Sequence, residues 1–166
     1  MNIAIIGSSG AIGSSFVKEF IKDKNVKTIY AFSRSESSFK NTKVISNFID
    51  IEDENSIAAA ASAVPLDKEL DLVIVATGVL YQNNLTPEKS VKELSYNKFQ
   101  KVFSINTIGP ALVAKHFIKL LKNNQKSIFA CLSARVGSIE DNHLGGWYAY
   151  RSSKAARNMV IKNLSI

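Results

Sequence analysis

The chain has 166 residues, of which 46% are hydrophobic, and its formal net charge is +7. This length suits a single domain over residues 1–166, since chains of about 150 residues bury roughly 70% of their unfolded surface. The apolar runs are shorter than the roughly 20 residues that cross a bilayer, and the apolar start lacks a basic flank, so we expect neither a membrane span nor a signal peptide. The single cysteine, Cys131, excludes an internal disulfide and fits a cytoplasmic location.

Five apolar runs rich in β-branched residues predict strands, and they alternate with segments of helical spacing. The strands are expected at residues 2–6, 28–32, 44–49, 70–76 and 127–132. Helices are expected after a glycine turn, at 57–64 behind Asp53 as N-cap, at 105–121 and at 148–164. This alternation predicts a doubly wound α/β fold, a parallel sheet with helices on both faces.

The basic residues are scattered along the chain and form no dense run. Zinc-finger spacing is also lacking, so we expect no nucleic-acid partner. No His, Cys or Asp cluster has the spacing of metal ligands, and no metal site is predicted.

The turn Gly7-Ser8-Ser9-Gly10-Ala11-Ile12-Gly13 lies between the first strand and the first helix. Glycines at such a turn let the backbone approach a pyrophosphate, whose charge then lies at the N-terminus of a helix. The spacing is G-x-x-G-x-x-G instead of the usual G-x-G-x-x-G. An ordinary strand-to-helix turn is the alternative to the dinucleotide site that we predict.

The residues that end the second and third strands bear on the choice of nucleotide. An acid at the end of the second strand would receive the ribose 2′-hydroxyl of NAD, but this chain has Ser33 and Arg34 there. A guanidinium beside hydroxyls suits a 2′-phosphate, so we favour NADP over NAD, a surface arginine being the alternative. Asp50-Ile51 ends the third strand, where the carboxylate either accepts from the adenine amino group or caps the turn.

Tyr150 and Lys154 are four residues apart and share one face if the last segment is helical. A phenol has a pKa of about 10, which is high for proton exchange at neutral pH. A nearby ammonium stabilises the phenolate, so we expect Lys154 to lower the pKa of Tyr150. The pair then suits a general acid in carbonyl reduction and a general base in alcohol oxidation. A coincidental Tyr and Lys on a helix is the alternative, which the upstream glycine turn disfavours.

Six elements in this order resemble the short-chain dehydrogenase/reductase family over the whole chain. They are Gly7-x-x-Gly10-x-x-Gly13, Asp50-Ile51, Ala76-Thr77-Gly78, Asn106 opening a helix, Ser133 after the fifth strand, and Tyr150-x-x-x-Lys154. The stretches 132–139 and 145–156 look most like the branch of sniffer-type carbonyl reductases and C-factor-like proteins. The resemblance implies a Rossmann-like sheet of about five strands in the order 3-2-1-4-5, lacking the family's last strands.

The resemblance also implies a role for each matching residue. As catalytic residues, Tyr150 would transfer the proton, Lys154 would bind the nicotinamide ribose, Ser133 would bind the substrate oxygen and Asn106 would hold a relay water. Contacts with the cofactor are expected from Gly7, Ser9, Gly10, Ile12, Gly13, Ser33, Arg34, Asp50, Ile51, Ala76, Thr77, Gly78, Tyr150 and Lys154. The implied reaction moves hydride between NADP and a small carbonyl or alcohol substrate.

The chain departs from the family pattern at two positions within these motifs. Ala76-Thr77-Gly78 stands where the family more often has Asn-Ala-Gly. Ser133 is followed by Ala134, where the family often has a second serine that is the catalytic one. Because adjacent strand residues point to opposite faces, Ser133 faces the site only if the strand has ended or bulged there; Ser138 is a possible substitute.

The chain stops at Ile166, where family members usually continue with two more strands, a helix and the substrate loop. We therefore expect strand 127–132 to be an exposed apolar edge and hypothesise a truncated reductase. A non-catalytic nucleotide-binding or interaction protein is the alternative, and an atypical nucleotide-sugar epimerase is a weaker one. Helices 106–121 and 148–164, which family dimers usually pack, predict a homodimer or homotetramer.

Overall fold

The computed structural model describes residues 1–35, 39–82 and 85–166. Within these residues the chain forms two compact units. The first unit comprises Met1–Thr77 and Leu112–Leu132, and the second comprises Gly78–Ala111 and Ser133–Ile166.

The first unit contains a parallel sheet of five strands. They are β1 (Asn2–Ile6), β2 (Thr28–Ser33), β3 (Val44–Phe48), β4 (Leu72–Val75) and β5 (Ile128–Cys131). Their order is β3-β2-β1-β4-β5, which confirms the predicted fold class and strand order. In this sheet β5 is an edge strand, and its Ile128 is exposed, as expected for that segment.

Helices cover both faces of the sheet because successive strand residues point in opposite directions. On one face Ile3 and Ile5 of β1 form a buried cluster with Val17 of α1 (Ala11–Lys22). Phe32 of β2 points to the other face, where its ring meets that of Phe117 edge-on at 5.4 Å. Phe117 ends α4 (Gly109–Phe117).

The α2 helix (Glu54–Ser62) begins where its cap predicts. The side chain of Asp53 accepts a hydrogen bond from the Asn55 amide at 2.9 Å, which confirms Asp53 as the N-cap. The helix starts three residues before the predicted 57 because polar first-turn residues carry no apolar periodicity.

The helix predicted at 105–121 begins earlier, and the prediction that Asn106 opens it is wrong. The chain turns helical in α3 (Tyr96–Phe103), continues through a π-helical segment (Ser104–Ile108) into α4, and closes with a 3-10 turn (Ile118–Leu120). Asn106 therefore lies inside a wider helical turn, a local form that often marks functional sites. The last helix, α5, spans Tyr148–Leu164, in agreement with the predicted 148–164.

In the described part of the chain, no helix combines the length and the apolar character that crossing a membrane requires. The same residues contain no group of three or more His, Cys, Asp or Glu side chains arranged to hold a metal ion.

Candidate functional site

The glycine turn of the first unit is tied to the end of β2. The carbonyl oxygen of Phe32 accepts hydrogen bonds from the Gly7 amide at 2.9 Å, the Ser8 amide at 3.0 Å and the Ser8 hydroxyl at 3.1 Å. Gly7 has a φ of +90°, a conformation that favours glycine. A Cβ on Gly13 would lie 2.1 Å from the Gly7 carbonyl oxygen, so even a methyl group there would force the turn to shift. The turn thus packs backbone against backbone, and its predicted contact with a pyrophosphate stays a prediction.

The N-terminus of α1 is open to an anion. Its N-cap, Gly10, provides no side-chain hydrogen bond, and the first turn contains no acidic residue. The first-turn N–H groups and the positive end of the helix dipole therefore lack a compensating acid within α1. Ser9, Gly10 and Ile12 are exposed. These features fit the pyrophosphate of a dinucleotide.

Ala76 and Thr77 follow β4 and lie against the glycine turn. A Cβ on Gly7 would be 2.9 Å from Thr77 Cγ2 and 3.2 Å from the Ala76 carbonyl carbon. The Thr77 hydroxyl is buried and has no hydrogen-bond partner among the described residues. An unsatisfied buried hydroxyl calls for a partner, and a bound ligand's oxygen would supply one. The structure thus brings together Gly7, Ala76 and Thr77.

The residues predicted to read the adenosine end lie at the ends of β2 and β3. Ser33 is buried, and its hydroxyl donates to the Ser35 carbonyl at 2.5 Å, while Arg34 is exposed. Asp50 accepts from the Glu52 amide at 3.0 Å, so it caps the turn, the alternative role considered above. Its contact with adenine stays a prediction, as does that of the buried Ile51.

In the second unit, four predicted residues lie close together. Lys154 Nζ is 5.3 Å from the centre of the Tyr150 ring, as the spacing of four residues on α5 predicts. A Cβ on Gly78 would lie 3.2 Å from Lys154 Nζ and 3.4 Å from Asn106 Oδ1. Lys154 and Asn106 are both buried. Phenol, ammonium and amide thus form one polar cluster in a largely buried setting.

The Asn106 side chain connects α5 with the segment after Gly78. Its Oδ1 accepts from the Val79 amide at 2.8 Å, and its Nδ2 donates to the Val79 carbonyl at 2.9 Å and to the Ser153 hydroxyl at 3.1 Å. The sequence did not predict this bridging role. The predicted relay water at Asn106 stays a prediction.

Ser133 lies beyond the end of β5, which stops at Cys131. Because the strand has ended before Ser133, the alternation of side chains between the two faces of the sheet does not fix the direction of this serine. Its hydroxyl donates to Asn158 Oδ1 at 2.6 Å. Ser138, the possible substitute, is exposed and accepts from the Asp141 amide at 3.3 Å. The assignment of the substrate-binding serine stays a prediction.

The phenol of Tyr150 is less acidic than an ordinary tyrosine. Burial raises its pKa, and the positive charge of Arg157 lowers it by a smaller amount, so the net direction is upward. The expectation of a lowered pKa for Tyr150 is therefore wrong, because burial disfavours the phenolate more than nearby positive charge favours it. Tyr150 is consequently a neutral phenol near neutral pH, the form that donates a proton.

Glu88 is a positioning group that the sequence did not reveal. Its side chain is buried, its carbonyl accepts from the Trp147 amide at 2.5 Å, and its Oε2 accepts from the Ala149 amide at 3.3 Å. Trp147, the N-cap of α5, has a φ of 50° and no capping side-chain bond. The Glu88 carboxylate therefore caps α5 and fixes the turn that carries Tyr150. A lone loop glutamate offers no sequence signal of this role.

Comparison with known proteins decides the family. The family model described as short chain dehydrogenase matches residues 1–166. The chain belongs to the short-chain dehydrogenase family. The 1-hydroxy-2-glutathionyl-2-methyl-3-butene dehydrogenase of Rhodococcus sp. (strain AD45) is 34% identical over 113 residues, which are 68% of this chain and 46% of that protein. C-signal of Myxococcus xanthus is 36% identical over 73 residues, which are 44% of each protein. These matches span less than half the length of either relative.

Solved structures show the same fold. The carbonyl reductase Sniffer of D. melanogaster superimposes with a TM-score of 0.87 at 21% identity, covering 99% of this chain and 73% of that one. The NADPH-bound carbonyl reductase from chicken fatty liver also gives 0.87, at 24% identity, covering 99% of this chain and 69% of that one. The predicted family is confirmed, and C-signal and Sniffer are among the proteins to which this chain is similar.

Proposed function

We propose that this short-chain dehydrogenase is an NADP-dependent oxidoreductase acting on a small carbonyl or alcohol substrate. The observation that carries the proposal is the position of Lys154 Nζ, 5.3 Å from the ring centre of Tyr150. A Cβ on Gly78 would lie 3.2 Å from this ammonium and 3.4 Å from Asn106 Oδ1. A phenol paired with a buried ammonium suits proton transfer to and from oxygen.

The first unit supplies the groups for the phosphates of the nucleotide. Gly7 and Gly13 allow the close backbone packing of the turn, and the uncapped α1 offers its first-turn N–H groups. The exposed Arg34 beside Ser33 suits a 2′-phosphate, which favours NADP over NAD. The NADPH bound to the similar chicken reductase supports the same choice.

When bound, NADP supplies or accepts the hydride. In reduction, Tyr150 donates its phenol proton to the carbonyl oxygen, since burial keeps that phenol neutral. Lys154 stabilises the resulting phenolate. Ser133 donates to the substrate oxygen once its hydroxyl turns away from Asn158. In oxidation the phenolate removes the alcohol proton, so this direction is favoured at higher pH.

Replacing Tyr150 by phenylalanine tests the proposal. Tyr150→Phe removes only the hydroxyl, so kcat/KM with NADPH and a panel of aldehydes, ketones and quinones falls by roughly 10²–10⁴-fold. The Kd for NADPH stays within about twofold, a difference of under ~0.5 kcal/mol. Tyr148→Phe is the matched control, because Tyr148 is partly buried at the start of the same helix.

Two results would contradict the proposal. Turnover retained by Tyr150→Phe removes this phenol from the chemistry. NADPH binding by the unmodified chain without turnover across the panel favours the non-catalytic nucleotide-binding alternative instead.

A further inference from the structure

Arg157 is a buried charge that the proposed chemistry has not used. Its side chain is 1% exposed, and both terminal nitrogens, Nη1 and Nη2, are buried without a hydrogen-bond partner among the described residues. A buried charge without compensation destabilises a fold, so its burial calls for an interaction with another group. A guanidinium also keeps its charge throughout the range in which phenols titrate.

The helical register places Arg157 on the face of α5 that carries Tyr150 and Lys154. Positions i, i+4 and i+7 line one side of a helix. Side chains on a helix lean toward its N-terminus, which is the direction in which Lys154 and Tyr150 lie from Arg157. Lys154 already lies over the Tyr150 ring. The positive charge of Arg157 also acts on this phenol, where it lowers the pKa against the larger effect of burial.

Other charges near α5 differ from Arg157 in exposure or in their bonds. Several titratable or charged groups lie on α5 near Tyr150 or on the segments that pack against α5. They include Glu88, Tyr96, Lys98, Lys101, Arg135, Tyr148, Arg151 and Lys154. Glu88 is bonded to the Ala149 amide, and Arg135 forms an exposed pair with Asp141. Charges in water are screened far more than buried ones. Lys154 and Arg157 are the buried cations on the Tyr150 face of α5.

We propose that Arg157 is a positioning residue for proton transfer, whose buried guanidinium, together with Lys154, stabilises the phenolate form of Tyr150. The use of this phenolate in turnover rests on the proposed function. The electrostatic coupling itself is a property of the chain without substrate or cofactor, so it can be measured independently.

The single tryptophan of the chain reports the ionisation of Tyr150. The ring centres of Trp147 and Tyr150 are 6.3 Å apart, edge to face. A tyrosinate absorbs where tryptophan emits, so Trp147 emission falls by energy transfer as Tyr150 ionises. The midpoint of this fall is measured by titrating the full chain toward high pH, with circular dichroism at each pH to confirm that it stays folded. Tyr150→Phe identifies the transition by removing it.

Arg157→Leu should move this midpoint to higher pH, because the phenolate loses a buried cation. Arg157→Lys keeps a charge and should leave the midpoint nearer that of the unmodified chain. Lys162→Leu is the matched control, since it removes an exposed cation from the last turn of the same helix and should cause no shift. Arg157→Met preserves more of the side-chain length and replaces the leucine variant if that chain does not fold.

The proposal is overturned if folded Arg157→Leu, or Arg157→Met in its place, has the same midpoint as the unmodified chain. It is also overturned if Lys162→Leu shifts the midpoint as much as the Arg157 variant does. The titration uses neither substrate nor cofactor. A chain that shows the expected shifts but no turnover would therefore contradict the proposed function and still support the coupling of Arg157 to Tyr150.

Discussion

At the scale of single residues, Arg34 is the side chain on which the proposed preference for NADP rests. It is exposed directly after the buried Ser33 at the end of β2. A guanidinium binds a phosphate through two hydrogen bonds, so Arg34→Ala should weaken NADPH binding about tenfold, or about 1.4 kcal/mol. The Kd for NADH should not change, because NADH lacks the 2′-phosphate. Both constants are measured by calorimetry.

The matched control for Arg34 is Lys24→Ala, which removes an exposed positive charge after α1. It should leave the ratio of the two dissociation constants unchanged. Equal losses of NADPH and NADH affinity in Arg34→Ala would show that Arg34 does not discriminate between the nucleotides.

Gly13 and Gly10 differ in how much space a side chain would have. A Cβ on Gly13 would lie 2.1 Å from the Gly7 carbonyl oxygen, whereas on Gly10 its nearest contact is 3.4 Å. Gly10 also has a φ of −73°, which alanine adopts readily. Gly13→Ala should therefore lower the free energy of unfolding by about 1–3 kcal/mol, and Gly10→Ala by much less. Urea unfolding of the chain without cofactor gives both values, and equal losses would contradict this account of the turn.

At the scale of elements, strands were predictable because their signal is local. The buried, β-branched run Ile3–Ile6 identifies β1 by composition alone, and β5 was likewise placed within a residue at each end. The proximity of Tyr150 and Lys154 was predictable for the same reason, since a separation of four residues on one helix brings the two side chains together.

The helix around Asn106 shows which features local sequence patterns do not predict. The start of α3 at Tyr96 has no buried apolar signal, because Tyr96 is 78% exposed while Val102 is buried. The π-helical segment has no local signal either, since Asn106 bonds to Val79, which is 27 residues away in sequence. The capping role of Glu88 likewise depends on packing against a segment 61 residues later. Contacts of this range leave no periodic trace in a single sequence.

Asp71 connects β1 with the chain after α4 inside the first unit. Its carboxylate accepts from the Asn2 amide and from Lys122 Nζ, each at 2.6 Å. Burial raises its pKa, but the bonds from Lys122 and Asn2 together outweigh burial and lower the pKa below its ordinary value. A lowered pKa contributes stability that is complete above the unfolded pKa of about 3.9 and is lost as the pH falls through the folded value.

Asp71→Asn should therefore lower the free energy of unfolding by about 1–3 kcal/mol at pH 7, and by progressively less as the pH falls below about 4. Urea unfolding between neutral and acid pH measures the difference. Asp67→Asn is the control, because Asp67 is 72% exposed in its pair with Lys68 and should contribute little. A loss that is independent of pH would show that the charge of Asp71 is not what stabilises the sheet.

At the scale of the whole molecule, exposed apolar side chains on the helices support the proposed self-association. Ile108, in the π-helical segment, is 52% exposed, and Met159 of α5 is 61% exposed. Apolar side chains grouped on a surface favour burial against another chain, and identical chains most often associate in closed symmetric assemblies. We therefore expect a mass of two or four times 18.2 kDa in sedimentation equilibrium.

Charged substitutions test this expectation at the two helices separately. Ile108→Asp and Met159→Asp would each bury two or more carboxylates in a symmetric interface, so each should shift the chain toward the monomer mass. Leu66→Asp is the control, because Leu66 is 89% exposed outside the helices and its replacement should leave the assembly intact. Dissociation by only one of the two variants assigns the interface to that helix. A monomer mass for the unmodified chain at micromolar concentrations would contradict self-association, and the exposed side chains would then need another explanation.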